Sequence, residues 1–141
     1  MQDPRRYTFG GQHDARLLPD GTLTVFDNRS YLGGQAVQPP RAVRYRIDEQ
    51  AGTATLLESV SDPVVPESKC CGSARRLGNG DWLVDWGFPD VIGGYRPDGK
   101  RTFRLTFTPA RSFSYRAEPV RFGALSPQDL RQAMNAVYGA P

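Results

Sequence analysis

The chain has 141 residues, of which 38% are hydrophobic and 23% charged, with 15 glycines, 12 prolines and a net charge of +3 at pH 7. This length predicts one domain, and the abundance of glycine and proline favours a globular protein rich in turns and strands. The arginines are spread along the chain without a run of like charges, so we expect no nucleic-acid partner.

Several other classes are disfavoured by what the sequence lacks. No stretch approaches the roughly 20 apolar residues of a transmembrane helix, and the first ten residues lack the apolar core of a signal peptide, so we expect no membrane partner and leave the compartment open. Cys70 and Cys71 are adjacent and cannot close an ordinary disulfide loop with each other. Two thiols and the single histidine fall short of the four ligands of a structural zinc site, so we predict no metal and no cofactor.

The first predicted unit spans residues 13–61, after a lead-in or strand at residues 1–12. Its segment HDARLLPDGTLTVFDN, residues 13–28, predicts a strand, a tight turn and a second strand, because Asp20-Gly21 is typical of a type I′ hairpin in which both central residues take positive φ. A second hairpin is predicted by the alternating apolar residues on both sides of a turn at residues 48–52.

The second predicted unit, residues 72–120, repeats the first. Residues 72–87, GSARRLGNGDWLVDWG, align without gaps on residues 13–28 and match Ala15 with Ala74, Arg16 with Arg75, Leu18 with Leu77, Gly21 with Gly80 and Val25 with Val84. A further hairpin turning at Asp98-Gly99 follows, with Tyr95 in the place of Tyr45. The role of the two cysteines that precede this unit is left open.

Two hairpins per unit give four strands, the content of one blade of a β-propeller, which usually needs about 4 to 8 blades to close. The chain holds material for two to three blades. We therefore predict an all-β, fragment-like single domain over residues 1–141, a partial β-propeller of four-stranded antiparallel blades. Either missing amino-terminal blades complete it, or it oligomerises, or it closes as something other than a propeller.

The carboxy-terminal residues predict one amphipathic helix, residues 127–138, within a segment of 126–138. Ser126 is suited to the N-cap, Pro127 to the first helical position and Gly139 to the end. Apolar residues recur at helical spacing at Leu130, Met134, Val137 and Tyr138. We expect this stripe to pack against the sheets.

Residues 12–16, Gln-His-Asp-Ala-Arg, together with the Phe-Asp-Asn end of their hairpin at 26–28 and the hairpin at 77–87, resemble the carboxy-terminal part of the arylsulfotransferase family of β-propellers. The similarity covers about residues 5–120. It implies a six-bladed propeller that transfers a sulfuryl group from a phenolic sulfate ester to a phenol through a histidine, with small aryl sulfates and phenols as partners. Family members are often exported. A second, His-Ile-Asn-Ser type box of the family has no counterpart here.

The resemblance places His13 as the catalytic residue, and the chemistry of imidazole agrees, because a neutral imidazole is a good nucleophile near neutral pH. His13 aligns with Gly72 in the second unit, so the scaffold does not require it. Asp14 is a doubtful partner for it, because successive strand residues face opposite sides. Candidate substrate-binding residues are Arg16 and Arg75, which suit sulfuryl oxygens, and Trp86, which suits an aryl ring.

Alternatives remain open for each of these residues. Arg16 and Arg75 occur in both units, which favours a structural role, and aromatic residues in strands such as Trp86 usually belong to the core. For the chain as a whole, the alternative to an enzyme is a noncatalytic propeller fragment or binding module. A third possibility is hydrolysis of a sulfate or lactone on a similar propeller.

Overall fold

The computed structural model describes residues 9–30, 38–107, 113–120 and 123–139. These residues form two four-stranded antiparallel sheets, each with its strands in chain order, and one helix. Sheet 1 contains β1 (Gln12–Leu17), β2 (Thr22–Asp27), β3 (Arg41–Asp48) and β4 (Thr53–Val60). Sheet 2 contains β5 (Ser73–Arg76), β6 (Trp82–Asp85), β7 (Val91–Tyr95) and β8 (Arg101–Thr106), and α1 (Pro127–Tyr138) follows. The all-β class with a carboxy-terminal helix is confirmed, and the two sheets do not close into a ring within the described ranges.

The first hairpin turn has a conformation that differs from the predicted one. Gly21 has a φ of 76°, but Asp20 keeps a negative φ, so the type I′ prediction is wrong. The Leu18 N–H donates to Thr22 O and the Gly21 N–H to Leu18 O, which describes a type I turn followed by a glycine in the left-handed region. Asp20 Oδ1 accepts the Thr22 N–H at 3.0 Å, and this local bond favours the observed turn. The turns at Gly80 and Gly99 repeat the same pattern.

The main core lies between the two sheets, where β5 contacts β1, β2 and β3. Its buried residues are Phe26, Ala42, Val60, Val65, Ala74, Trp82, Val84, Trp86, Val91 and Tyr95. The Trp86 indole is completely buried, lies 5.9 Å from the Phe26 ring between centroids, and donates from Nε1 to Tyr95 Oη at 2.7 Å. These contacts agree with the alternative interpretation of Trp86 as a core residue, since no surface of its ring is open to an aryl group.

A half-buried polar cluster joins the sheets at their hairpin end. Glu58 of β4 accepts hydrogen bonds from Arg44 of β3 and, across the interface, from Arg76 of β5 and the Trp82 indole of β6. Burial alone would raise the pKa of the Glu58 carboxyl, but these hydrogen bonds outweigh it and hold the pKa below its ordinary value. Glu58 therefore stabilises the fold as a carboxylate.

The helix forms as predicted but does not pack as predicted. Ser126 and Asp129 make a capping box, which satisfies N–H groups that the first turn leaves without partners. The apolar stripe is at least half exposed, at Leu130, Met134, Val137 and Tyr138, and α1 has no buried residue. The prediction that this stripe packs against the sheets is wrong for the described residues. In the predicted lead-in, residues 9–11 are not a strand, and residues 1–8 lie outside the described ranges.

The Glu58 cluster predicts how stability depends on pH. Because the folded-state pKa of Glu58 is depressed, its contribution is complete above the unfolded-state pKa and is lost as the pH falls through the folded-state pKa. Glu58→Gln should lower the free energy of unfolding by roughly 3 kcal/mol at about pH 7, because two arginines lose their anion. This deficit should be smaller at about pH 3, which lies below the ordinary glutamate pKa of about 4.3, because the charge of Glu58 then contributes less to the stability of the wild type.

Urea unfolding of both proteins at the two pH values measures the deficit. The matched control is Glu49→Gln, since Glu49 is exposed in the turn between β3 and β4. A deficit of equal size at both pH values would contradict a role for the Glu58 charge.

Candidate functional site

His13 lies near the start of β1, at the end of sheet 1 away from the hairpin turns. The pairing register sets it opposite Phe26 of β2, and the two rings pack with centroids 5.3 Å apart. Phe26 is completely buried, whereas His13 is half-buried. The imidazole therefore sits at the edge of the core that joins the sheets, with one side on Phe26.

The hydrogen bonds around His13 define which ring nitrogen carries a hydrogen. His13 Nε2 donates to Asn28 Oδ1 at 2.8 Å and to Cys71 O at 3.0 Å. The Asn28 amide is fixed in this orientation because its Nδ2 donates to Ser68 Oγ at 2.8 Å and to Cys71 O at 3.2 Å. The Ser68 hydroxyl in turn donates to Trp86 O at 2.8 Å. Since both partners of Nε2 are acceptors, the neutral ring has its lone pair on Nδ1, which has no hydrogen-bond partner in the described part of the chain.

The segment that brings Cys71 to the imidazole follows a strained path. Cys71 has a φ of 64° and Gly72 a φ of 102°, both in the left-handed region. A Cβ on Gly72 would lie 2.7 Å from Phe26 Cε1 and 2.7 Å from Asp85 O, so the chain passes here with room for glycine only. This close approach holds the Cys71 carbonyl over the end of sheet 1.

Asp14 does not contact His13, because β1 has a bulge between His13 and Arg16 and Asp14 takes a φ of 56°. Its buried carboxylate turns to sheet 2, where Oδ2 accepts from the Ala74 N–H at 2.9 Å and from Arg75 Nη1. Arg116 Nη2 lies 3.7 Å from the other carboxylate oxygen. The bulge thus separates the only histidine from the adjacent negative charge.

The two predicted substrate-binding arginines, Arg16 and Arg75, differ in how exposed their guanidinium groups are. Arg75 is 5% exposed, and its guanidinium donates to both Glu118 carboxylate oxygens and to Asp14. Burial would lower the pKa of Arg75, but these hydrogen bonds outweigh it and raise the pKa. Arg16 is 43% exposed, donates from Nη2 to Glu118 at 2.9 Å, and has its Nε 3.7 Å from Asp14 Oδ1. Arg116, at 42% exposed, is the other open cation of this cluster.

The structure gathers Arg16 and Arg75, together with Arg116, around Asp14 and Glu118, and Asp14 directly follows His13 in the chain. Trp86 lies in the core and is joined to the His13 network through its backbone carbonyl. Sequence reasoning missed Asn28, Arg116 and the Ser68 hydroxyl. Asn28 had a detectable sign, since it ends the Phe-Asp-Asn segment of the family resemblance.

No group of three or more His, Cys, Asp or Glu side chains within the described ranges is placed to hold a metal ion. Among the same residues, no helix has the length and apolar character needed to cross a membrane.

Comparison with protein families assigns the chain. A family model described as Arylsulfotransferase (ASST) matches residues 3–116, which include both sheets, His13 and Arg116. The chain belongs to the arylsulfotransferase family. A search of curated proteins gave no match. The predicted family is confirmed, and the matched arylsulfotransferase region ends before α1.

The tautomer of His13 in this arylsulfotransferase-family chain is directly measurable, because the chain has one histidine and all imidazole nitrogen signals come from it. In ¹⁵N NMR at alkaline pH, we expect the neutral ring to carry its hydrogen on Nε2. Asn28→Ala removes one of the two acceptors and should raise the share of the Nδ1–H tautomer, whereas Asn79→Ala, in a hairpin turn, should leave the signals unchanged. A wild-type ring with its hydrogen mainly on Nδ1 would contradict the assigned network.

The close approach at Gly72 also gives a stability test. Gly72→Ala should lower the free energy of unfolding by roughly 3 kcal/mol, because its φ and its contacts with Phe26 and Asp85 leave no room for a Cβ. Gly78→Ala is the matched control, since nothing lies within 4 Å of a Cβ there. Thermal and urea unfolding measure the difference, and equal stability of the two variants would be the opposing result.

Proposed function

We propose that this chain transfers a sulfuryl group from an aryl sulfate ester to a phenol, with Nδ1 of His13 as the nucleophile. The observation that carries the proposal is the hydrogen bonding of the ring. Nε2 donates to Asn28 Oδ1 and Cys71 O, and Nδ1 is left with its lone pair and no partner in the described part of the chain. Membership of the arylsulfotransferase family supports this chemistry at the level of the family.

The proposed reaction has two displacement steps. In the first, the Nδ1 lone pair attacks sulfur, the bond from sulfur to the aryl oxygen breaks, and the phenolate leaves. The ring then carries the sulfuryl group and a positive charge, which the two acceptors at Nε2 stabilise. In the second, the oxygen of the acceptor phenol attacks sulfur, the bond from sulfur to nitrogen breaks, and its electron pair returns to Nδ1. The acceptor phenol loses its proton in this step, and the phenolate released in the first step takes up one proton, so no proton is gained or lost overall.

We further propose distinct roles for the arginines around Asp14, the residue that follows His13. Arg16 and Arg116 have partly exposed guanidinium groups, and they supply the positive charge that binds the sulfuryl oxygens. Arg75 has its donors occupied by Asp14 and Glu118. It acts as a positioning residue that ties β1 to β5, so it does not contact substrate directly. Trp86 acts in the same indirect way, since its carbonyl orients Ser68 and through it Asn28.

We propose that the two sheets are successive blades of a β-propeller, with units at residues 13–61 and 72–120. The pairing registers support the repeat, since Leu23 pairs with Tyr45 and Trp82 with Tyr95. The stacking direction supports it too. Tyr45 lies on the face of sheet 1 away from sheet 2, whereas Tyr95 lies on the face of sheet 2 that meets sheet 1. Equivalent faces of the two sheets therefore point in the same direction, as in successive blades of a propeller. Further blades or a second copy would complete the ring.

The decisive experiment incubates the chain with 4-nitrophenyl sulfate and phenol and follows both nitrophenol and phenyl sulfate. We expect transfer by the wild type and a loss of roughly 10³-fold or more in His13→Ala, because the nucleophile is removed. Arg46→Ala, which removes an exposed arginine of β3, should keep the wild-type rate.

The other outcomes separate the alternatives. Nitrophenol release without any need for phenol indicates hydrolysis and overturns transfer. Binding of the ester without turnover indicates a noncatalytic binding module, and equal rates for wild type and His13→Ala remove the histidine from the mechanism.

A further inference from the structure

The adjacent cysteines lie directly beside the proposed site. Cys71 Sγ is 2.8 Å from Cys70 Sγ, and both thiols are free. The same Cys71 residue supplies the carbonyl that accepts from His13 Nε2 and from Asn28 Nδ2. A reaction at these sulfurs therefore acts on the residue that holds the imidazole.

We propose that Cys70 and Cys71 form a dithiol modification site that reacts with small organic disulfides, closes to a disulfide between the two neighbouring residues, and in doing so moves the Cys71 carbonyl away from His13. The geometry of the sulfurs and the hydrogen bond to His13 carry this inference, and it does not depend on sulfuryl transfer.

The closed form is within reach of the observed arrangement. A disulfide bond is about 2.05 Å long, so the two sulfurs need to approach by less than about 1 Å. The Cα atoms of adjacent residues are about 3.8 Å apart, which is shorter than in ordinary disulfides, and the closed ring is therefore strained. Strained disulfides are readily reduced, so the modification is reversible.

The two thiols differ in a way that sets the order of the reaction. Cys70 is exposed and meets an incoming disulfide first. Burial, together with the neighbouring Cys70, raises the pKa of the half-buried Cys71 thiol to about 12, so Cys71 stays protonated at neutral pH. It reacts second, because the part of this rise that comes from the Cys70 sulfur ends when Cys70 enters a mixed disulfide, and the Cys71 thiolate then forms more readily.

The exchange balances in two steps. Cys70 Sγ attacks one sulfur of the reagent, RSSR, and the first RS⁻ leaves, which gives a mixed disulfide at Cys70. Cys71 Sγ then attacks Cys70 Sγ, the mixed disulfide breaks, and the second RS⁻ leaves. The protons of both cysteines pass to the two leaving groups. The protein is oxidised by two electrons and the reagent is reduced to two RSH.

Closure must be absorbed at the Cys71 backbone. The new ring contains the ψ bond of Cys70 and the φ bond of Cys71, which now stands at 64°. The loop has no room to shift as a unit, because Gly72 packs on Phe26 and Gly87 lies against the Cys70 carbonyl. A change in the Cys71 φ swings its carbonyl, so His13 Nε2 keeps Asn28 and loses Cys71 as a partner.

Glutathione disulfide is the probe for the test. Treated wild type should lose both of its two thiols in a thiol titration, carry no glutathione by intact mass, and run as a single chain in denaturing electrophoresis without reductant. The His13 ¹⁵N and N–H signals should shift on closure and return with dithiothreitol, which also shows that the fold is kept.

Two single variants distinguish the sulfurs. Cys71→Ser should stop at a stable glutathione adduct on Cys70 with the His13 signals of the reduced protein, and Cys70→Ser should not react. The proposal is overturned by wild-type protein that does not react, that keeps the adduct, that forms a disulfide between chains, or that closes without a change in the His13 signals. None of these measurements uses a sulfate ester, so their result is separate from that of the transferase assay.

Discussion

The packing of sheet 1 on sheet 2 around Phe26 is the contact on which the remaining structure depends. The Phe26 ring meets the His13 imidazole on one side and Trp86 on another, with centroids 5.3 Å and 5.9 Å away. Gly72 passes against the same ring where no side chain would fit. The apolar contact that stabilises the fold therefore also positions the histidine next to the Cys71 carbonyl.

Buried polar groups give this interface a single register. Asn28 of sheet 1 bonds to Ser68 in the connecting segment, and Ser68 bonds to the Trp86 carbonyl beside sheet 2. At the other end of the sheets, Glu58 bonds to Arg76 across the same interface. Apolar surfaces alone tolerate sliding, whereas a shifted sheet would leave these buried and half-buried groups without partners. Such networks thus convert an apolar contact into a defined placement of the ring nitrogens.

Much of the fold could be predicted from the sequence, because alternation and Asp-Gly turns are local properties. The errors concern what surrounds an element. The turn at Asp20 is not type I′, since the Asp20 carboxylate accepts a neighbouring N–H. The apolar stripe of α1 predicted that the helix packs on something, but the spacing of the stripe does not identify the surface it packs on. His13 stood out as the lone histidine, yet its partners lie 15 and 58 residues away and no local pattern joins them. Asn28 was visible only within a motif.

We propose that the neutral character of the groups at Nε2 lets one imidazole both accept and release the sulfuryl group. In the proposed mechanism the sulfonated ring must be stable enough to form and reactive enough to release its group. A carboxylate at Nε2 would stabilise the charged ring strongly and slow its release, whereas an amide and a backbone carbonyl stabilise it moderately. Asp14, the carboxylate that follows His13 in the chain, turns to sheet 2 at the bulge in β1 and pairs with Arg75. In the proposed mechanism the bulge therefore keeps this negative charge paired with Arg75 rather than with the sulfonated ring.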